Sequence, residues 1–278
     1  MIDLHVHTRA SDGSDRPQAL VAAAAAAGVQ TLAITDHDTV AAVAPAQATG
    51  ERLGVQVLAG CELTTTVDGR VVHLLVYGQG LLAPELADAV QLARRGREDR
   101  NRAIGERLER LCGVGYADAL AVAGPSALSR AHFARALVAR GVVADVAQAF
   151  DRFLSSGRPA YVAAPSVSVS DAVALAAKAG GVAVLAHPGR LAPGERDRVL
   201  GQALEAGIDG IEVWHSQHDP GLCRSLAALA ERRGLLATGG SDYHGRHKPT
   251  VRLGTGTGTG PTVPPNHLNA LQARLTAG

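Results

Sequence analysis

Seven short apolar runs recur along the chain, and each has the length of a single buried strand. Helical patterns stand between most of them, which is typical of α/β folds in which helices cover a mostly parallel sheet. The alternation therefore predicts an α/β fold. The runs occupy residues 2–6, 31–35, 55–60, 71–78, 181–187, 210–215 and 234–240.

The helical patterns carry end signals of their own. The pattern at 17–28 begins with proline in its first turn and ends in glycine, and those at 171–181 and 195–207 also end in glycine. These helix boundaries support the predicted alternation of strands and helices.

Residues 84–164 interrupt this rhythm. They contain two or three helical patterns rich in arginine and alanine, and no convincing strand pattern. We therefore expect a helical insertion at 84–164 in a barrel built from 1–83 and 165–278.

Length and charge limit the classes of protein that fit. A chain of 278 residues suits one barrel of alternating strands and helices. Its net charge of +1 creates no field strong enough to hold long nucleic acid, so an anionic ligand must be held locally.

The cysteines and the N-terminus indicate a compartment. Cys61, Cys112 and Cys223 are widely spaced, which predicts neither a disulfide framework nor a thiolate zinc site and fits a reducing cytoplasm. We find no export signal and no apolar stretch long enough to span a membrane, so we expect a cytoplasmic protein that does not contact membranes. No obligate protein partner is indicated.

Side chains that bind metals lie at or near the predicted strand ends, which share one face in a β/α barrel. His5 and His7 are two apart on a strand and point to the same side. So many nitrogen and oxygen donors predict two or three ions, whereas Cys61 should face away from its neighbour Glu62. The candidates are His5, His7, Asp12, Asp36, His37, Glu62, His73, His187, His215, Asp242 and His244.

Six motifs make the chain resemble the PHP (polymerase and histidinol phosphatase) family over its whole length: DLHVHTRASDG, ITDHDT, AGCELTT, HLLVYG, LAHPG and GGSDYHG. The resemblance implies a distorted seven-stranded (β/α) barrel with three metal ions, manganese first, with iron or zinc as alternatives. It is greatest to stand-alone bacterial phosphoesterases with a helical insertion, which remove the 3′-phosphate of nucleoside 3′,5′-bisphosphates and trim short oligonucleotides from 5′ to 3′.

Every ligand position of the family pattern is filled, which favours an active enzyme over a degenerate copy. The resemblance implies three ligand groups, of which the first two share Glu62 as a bridge: His5, His7, Glu62 and Asp242; Glu62, His73 and His187; and Asp12, His37 and His244.

Other residues are candidates for contact with a small anionic nucleotide. His215 is placed either to donate a proton to the leaving alkoxide or to orient a metal ligand. In the insertion, Ser129 can cap a helix that carries Arg130 and His132. Arg158 and Tyr161 are weaker candidates for phosphate or base contact. The remaining histidines, His218, His247 and His267, are expected in exposed loops without a role.

Three alternatives remain open. A histidinol phosphate phosphatase has the same metal ligands but needs a carboxylate for the substrate ammonium. An amidohydrolase needs a bridging lysine, for which only Lys178 and Lys248 are available. A non-catalytic PHP scaffold would show no turnover.

Overall fold

The strands follow the apolar runs closely. The protein is described by a computed structural model that covers residues 1–124, 126–163, 167–257 and 263–277. Its strands are β1 Ile2–Val6, β2 Thr31–Ile34, β3 Gln56–Val67, β4 Arg70–Tyr77, β5 Val167–Ser168, β6 Val182–Leu185, β7 Gly210–His215 and β8 Leu236–Gly240.

Seven strands form one path in the order β1-β2-β3-β4-β6-β7-β8, and the two-residue strand β5 pairs with β3. The path closes beyond β8, where the Asp242 N–H donates to the His5 carbonyl at 2.8 Å and the His7 N–H donates to the Tyr243 carbonyl at 2.9 Å. The predicted fold class, a distorted seven-stranded α/β barrel, is confirmed.

Strand β4 departs from the parallel pattern, because it runs antiparallel to both β3 and β6. A tight turn at Asp68 and Gly69, both with positive φ, joins β3 to β4. Since β3 continues to Val67 as part of this hairpin, Glu62 lies inside the strand, and the prediction that the third strand ends at Glu62 is wrong.

Helices cover the barrel and account for most of the described residues between 84 and 154. They are α1 Pro17–Ala26, α2 Val43–Leu53, α3 Pro84–Cys112, α4 Tyr116–Ala123, α5 Arg130–Ala139, α6 Val146–Ala149, α7 Val169–Lys178, α8 Pro193–Glu205, α9 Pro220–Arg233 and α10 Pro265–Ala277. A π-helical turn, Phe150–Leu154, continues α6. Proline begins α1, α3, α8 and α9, where its missing N–H costs nothing.

Helices α3 to α6 have an apolar core of their own, which includes Ile104, Leu108, Phe133 and Leu137. Two hydrogen bonds attach this region to the loop after β1: the Ala127 N–H donates to the Ser11 carbonyl at 2.6 Å, and Ser126 Oγ donates to the Gly13 carbonyl at 2.7 Å. The predicted return to the barrel at residue 165 lies outside the described residues.

A buried carboxylate reinforces the closure of the barrel. Asp3 on β1 accepts hydrogen bonds from the backbone N–H and the hydroxyl of Ser241 at 2.8 and 2.7 Å, and from the Gly254 N–H at 2.7 Å. These bonds compensate for the burial of its charge. No helix in the described part of the chain is both long and apolar enough to cross a bilayer.

Gly240 offers a test of this closure. A Cβ added there would lie 2.3 Å from the His5 nitrogen and 2.5 Å from its Cβ. We expect Gly240→Ala to lower the free energy of unfolding by about 1–3 kcal/mol, because β1 and β8 must separate. Gly201→Ala in α8 is the control, since nothing lies within 4 Å of its added Cβ. Equal denaturation midpoints for both variants would contradict the prediction.

Candidate metal centre

The nine predicted metal ligands converge at one end of the barrel. The loops after β1, β2, β6 and β8 supply most of them, while His5 and Glu62 stand on strands. His73 lies near the start of β4, and it reaches the same end because that strand runs in the opposite direction. The antiparallel strand thus explains why this ligand alone precedes most of its strand.

Glu62 is the hub of the cluster. One oxygen, Oε2, lies 3.2 Å from His5 Nε2, 3.0 Å from His7 Nε2 and 3.3 Å from His37 Nδ1. The other, Oε1, lies 2.7 Å from His73 Nδ1 and 2.9 Å from His187 Nε2. One buried carboxylate therefore faces five imidazoles.

Two further carboxylates flank this hub. Asp242 Oδ1 lies 3.4 Å from His7 Nε2 and 3.4 Å from His244 Nδ1, and its Oδ2 lies 2.5 Å from Lys248 Nζ. Asp12 Oδ1 lies 3.2 Å from His244 Nε2. The lysine neutralises part of the negative charge at Asp242.

The ligand atoms fall into overlapping groups within 4.8 Å that partly match those implied by the family resemblance. Asp12, His37 and His244 lie together as expected, with His7 added. His73 and His187 instead lie in separate groups, each of which contains Glu62. The groups are His7, Asp12, His37 and His244; His37, Glu62 and His73; His5, Glu62 and His187; His5, His7 and Asp242; and His5, Glu212 and His215.

Hydrogen bonds on the far side of the rings decide which nitrogens face the cluster. His5 Nδ1 donates to Glu212 Oε1 at 2.8 Å, and His244 Nδ1 donates to the Asp242 carbonyl at 2.9 Å. In a neutral imidazole the Nε2 atom then carries a lone pair directed at a carboxylate. Two acceptors this close need either a proton or a metal ion between them, and the nitrogen and oxygen donors suit divalent metals.

Buried atoms without partners point the same way. Asp12 Oδ1, His37 Nδ1 and His73 Nδ1 are buried and have no hydrogen-bond partner in the described part of the chain. His73 Nδ1 and His37 Nδ1 are close to Glu62 without the geometry of a hydrogen bond. Such atoms are costly unless an ion satisfies them, and nitrogen and oxygen donors suit divalent metals.

The electrostatics favour the metal-binding forms of Glu62, His187 and His244. Burial would raise the pKa of Glu62, but His37, His73 and His5 outweigh it and hold that pKa well below its usual value. Burial lowers the pKa of His187 to about 3 and also lowers that of His244. Metal binding requires ionised carboxylates and neutral imidazoles. At His5 and His7 burial opposes protonation, but nearby carboxylates outweigh it and raise the pKa of both rings, that of His7 to about 9, so a metal ion would have to displace a proton from each.

Strained backbone also concentrates here. Four described residues other than glycine have positive φ, and three of them belong to or adjoin the cluster: Asp38 at 50°, His187 at 29° and Asp242 at 55°. Such conformations cost about 1–3 kcal/mol each and persist where surrounding contacts enforce them. The contacts of these three residues therefore hold the ligand loops in place.

Glu212 is a site residue that the sequence interpretation missed. It is fully buried, and besides His5 it accepts a hydrogen bond from the His187 N–H at 2.6 Å. It thus orients one candidate ligand and anchors the loop of another. The feature of the sequence that could have revealed this role is a single acidic residue inside the apolar run GIEVWH.

The two aspartates beside His37 position loops. Asp36 accepts from the Thr8 N–H at 2.8 Å and from the Ser11 hydroxyl at 2.5 Å, and that hydroxyl lies 3.3 Å from His7 Nδ1. Asp38 accepts from the Thr64 N–H at 2.7 Å and from Arg97 Nε of α3 at 2.8 Å. Asp38 thereby ties the His37 loop to the helical region.

His215 lies against the cluster. Its Nδ1 accepts from the Gln217 N–H at 3.1 Å, so Nε2 carries the proton and donates to Asp242 Oδ2 at 3.3 Å. This arrangement suits the orientation of a ligand carboxylate. A role as general acid stays a prediction.

Next to the cluster, Ser129 and Arg130 line a cavity of about 290 Å³. Ser129 occupies the N-cap position of α5, and its N–H donates to His132 Nδ1 at 3.0 Å, whereas its hydroxyl lies 3.1 Å from the same ring nitrogen. Tyr161 is half-buried near Arg100 and Arg130. The structure does not bring Arg158 to the cavity, because it is exposed and pairs with Asp151 at 2.7 Å.

The expectation of exposed loops for the remaining histidines is wrong. His218 is buried, with Nδ1 2.9 Å from the Val213 carbonyl and Nε2 accepting from the Gly189 N–H at 3.0 Å. His247 Nδ1 lies 2.9 Å from the Asp12 carbonyl, and His267 stands on α10 against Trp214. Tertiary packing covers these rings in ways that local sequence does not reveal.

A family comparison agrees with this geometry. A model of the PHP domain matches residues 3–155. The chain belongs to the PHP domain family. The family prediction is thereby confirmed, and so is the general class of enzyme, a metal-dependent phosphoesterase.

Characterised relatives match nearly the whole chain. A 3′,5′-nucleoside bisphosphate phosphatase from Chromobacterium violaceum is 38% identical over 247 residues, which cover 87% of each chain. The 5′-3′ exoribonuclease Rnm from Escherichia coli is 37% identical over 257 residues, which cover 91% of this chain and 87% of that protein.

A solved structure has the same fold. The structure of an amidohydrolase from Chromobacterium violaceum with bound sulfate and no metal is 36% identical and superposes with a TM-score of 0.86, covering 98% of this chain and 96% of that one.

Glu62→Gln tests the metal centre. The substitution keeps the volume and removes the charge that five imidazoles face, so we expect bound metal, measured by elemental mass spectrometry, to fall and its affinity to drop by at least about 10- to 100-fold. Glu51→Gln on the exposed face of α2 is the matched control. Unchanged metal content in folded Glu62→Gln protein would contradict the assignment.

Proposed function

We propose that this PHP enzyme removes the 3′-phosphate of nucleoside 3′,5′-bisphosphates, converting pAp to AMP and phosphate, and trims short oligonucleotides from 5′ to 3′. The observation that carries the proposal is the arginine-rich cavity beside the metal cluster. The activities of the two relatives support it, since one removes such a phosphate and the other degrades RNA.

The cavity suits a second phosphate. Candidate metal ligands line it together with Arg97, Arg100, Arg130 and Arg190. Arg100 is 4% exposed, and its Nε has no hydrogen-bond partner among the described residues. Burial and the nearby Arg97 and Arg130 lower its pKa to about 9, so a phosphate dianion would stabilise its charged form.

The cluster would hold three divalent ions, manganese first, on His5, His7, Asp12, His37, Glu62, His73, His187, Asp242 and His244. Such ions supply an activated water nucleophile and neutralise charge on the phosphoryl oxygens. Lys248 and His215 keep Asp242 in place, and His215 is our candidate for delivering a proton to the leaving O3′. Arg130 and Ser129 bind the 5′-phosphate, with His132 supporting the start of their helix.

We further propose that residues 84–164 act as an insertion that covers the barrel 1–83 and 165–278. Arg97 supports this view, because it joins α3 to the loop that carries His37. The substrate class, small nucleotides rather than long nucleic acid, and a cytoplasmic location without membrane contact remain part of the proposal.

The cavity disfavours histidinol phosphate. The carboxylates that line the cavity, among the described residues, are Asp12, Glu62 and Asp242. All three are candidate metal ligands, so none is left to bind the ammonium group of histidinol phosphate. The amidohydrolase alternative lacks its bridging lysine, since Lys178 is exposed on α7 and Lys248 pairs with Asp242. A scaffold role leaves the intact ligand set unexplained.

Phosphate release from three substrates tests the proposal. Metal-loaded protein is incubated with adenosine 3′,5′-bisphosphate, 5′-AMP and histidinol phosphate. We expect the protein to hydrolyse the bisphosphate and to leave 5′-AMP and histidinol phosphate nearly intact. Turnover of histidinol phosphate alone would assign the protein to that reaction instead, and no turnover of any phosphate ester would support the scaffold.

Arg130→Ala tests the phosphate pocket. Loss of a charged hydrogen-bond donor is expected to raise KM for the bisphosphate roughly tenfold or more, with little change for p-nitrophenyl phosphate, which has no second phosphate. Arg110→Ala, at the exposed end of α3, should alter neither. An equal rise of KM for both substrates would show that Arg130 does not bind the second phosphate.

A further inference from the structure

A second cavity adjoins the metal cluster on another side. It has a volume of about 340 Å³ and lies between the loop after β1 and helices α3 and α4. Asp12, His37, Arg97 and Ser129 line both this cavity and the arginine-rich one. The two cavities therefore meet at these four residues, two of which are candidate metal ligands.

The outer part of the second cavity differs chemically from the first. Tyr116 and Leu120 stand one turn apart on α4, and Leu120 is 47% exposed although it is apolar. With Leu128 they form an apolar strip. Arg102 lies with its guanidinium carbon 5.5 Å from the centre of the Tyr116 ring, which places a positive charge beside the strip.

We propose that this second cavity binds the nucleoside on the 3′ side of the scissile phosphate in a short oligonucleotide. The strip contacts its base, and Arg102 attracts the phosphate that follows. Bases pack on aromatic and apolar side chains with little sequence preference, and arginine adds attraction to the backbone. The inference rests on the proposed function, because the first cavity must hold the 5′-phosphate of the preceding nucleotide.

One reaction then serves both kinds of substrate. Water adds its hydroxyl to phosphorus, the bond from phosphorus to O3′ breaks, and a proton is delivered to O3′. A bisphosphate releases inorganic phosphate, and the second cavity stays empty. A dinucleotide releases the first nucleotide with a free 3′-hydroxyl, and the second keeps the phosphate as a new 5′-phosphate. In a longer oligonucleotide, the new 5′-phosphorylated end is the next substrate.

The test compares adenosine 3′,5′-bisphosphate with the 5′-phosphorylated dinucleotide pApA. We expect Leu120→Glu to lower kcat/KM for pApA roughly tenfold or more, because a carboxylate at the cavity mouth repels the chain and removes an apolar contact. The value for the bisphosphate should stay within about twofold. Tyr116→Ala should act in the same direction, and its melting temperature checks its packing against Phe133.

Leu111→Glu is the matched control, since Leu111 is 49% exposed on α3 and does not line the cavity. An equal loss on both substrates with Leu120→Glu, or no loss on pApA, would overturn the inference. Wild-type turnover of the bisphosphate without turnover of pApA would overturn it and leave the proposed function intact. Failure to hydrolyse either substrate would overturn the proposed function itself.

Discussion

The buried charge of Glu62 is the constraint on which the site depends. A carboxylate removed from water costs several kcal/mol unless nearby positive or polar groups compensate for it. Here five imidazoles from four parts of the barrel face it within 3.3 Å. Several of those rings are themselves held by outer partners, such as Glu212 behind His5. The cluster therefore needs both bound cations and an intact barrel.

The helical region and the barrel together line the cavity beside this cluster. Barrel strands and loops carry the candidate metal ligands, whereas α3 and α5 contribute Arg97, Arg100 and Arg130 to the same cavity. Arg97 contacts both parts, because it bonds to Asp38 next to His37 and also lines the cavities. A substrate with two phosphates would thus be read by two different parts of the chain, one that holds metal and one that holds guanidinium groups.

Local pattern carried much of the prediction. Short apolar runs located seven strands, and the side chains that follow or lie within them located the nine residues that the structure brings together. Pattern failed where partners are distant in sequence. Glu212 looked like one acid in a strand, and its importance comes from His5, 207 residues away. His218 looked like a loop residue, yet backbone groups of two segments hold its ring.

The sequence by itself determined the α/β class, the strand positions and the chemistry of the donor set, because periodicity and residue type are local properties. Only the tertiary structure decided that β4 runs antiparallel, that Glu62 lies inside β3 and not at its end, and that Arg158 points away from the cavity. Strand direction and side-chain partners depend on contacts between segments far apart in the chain, and no local pattern encodes them.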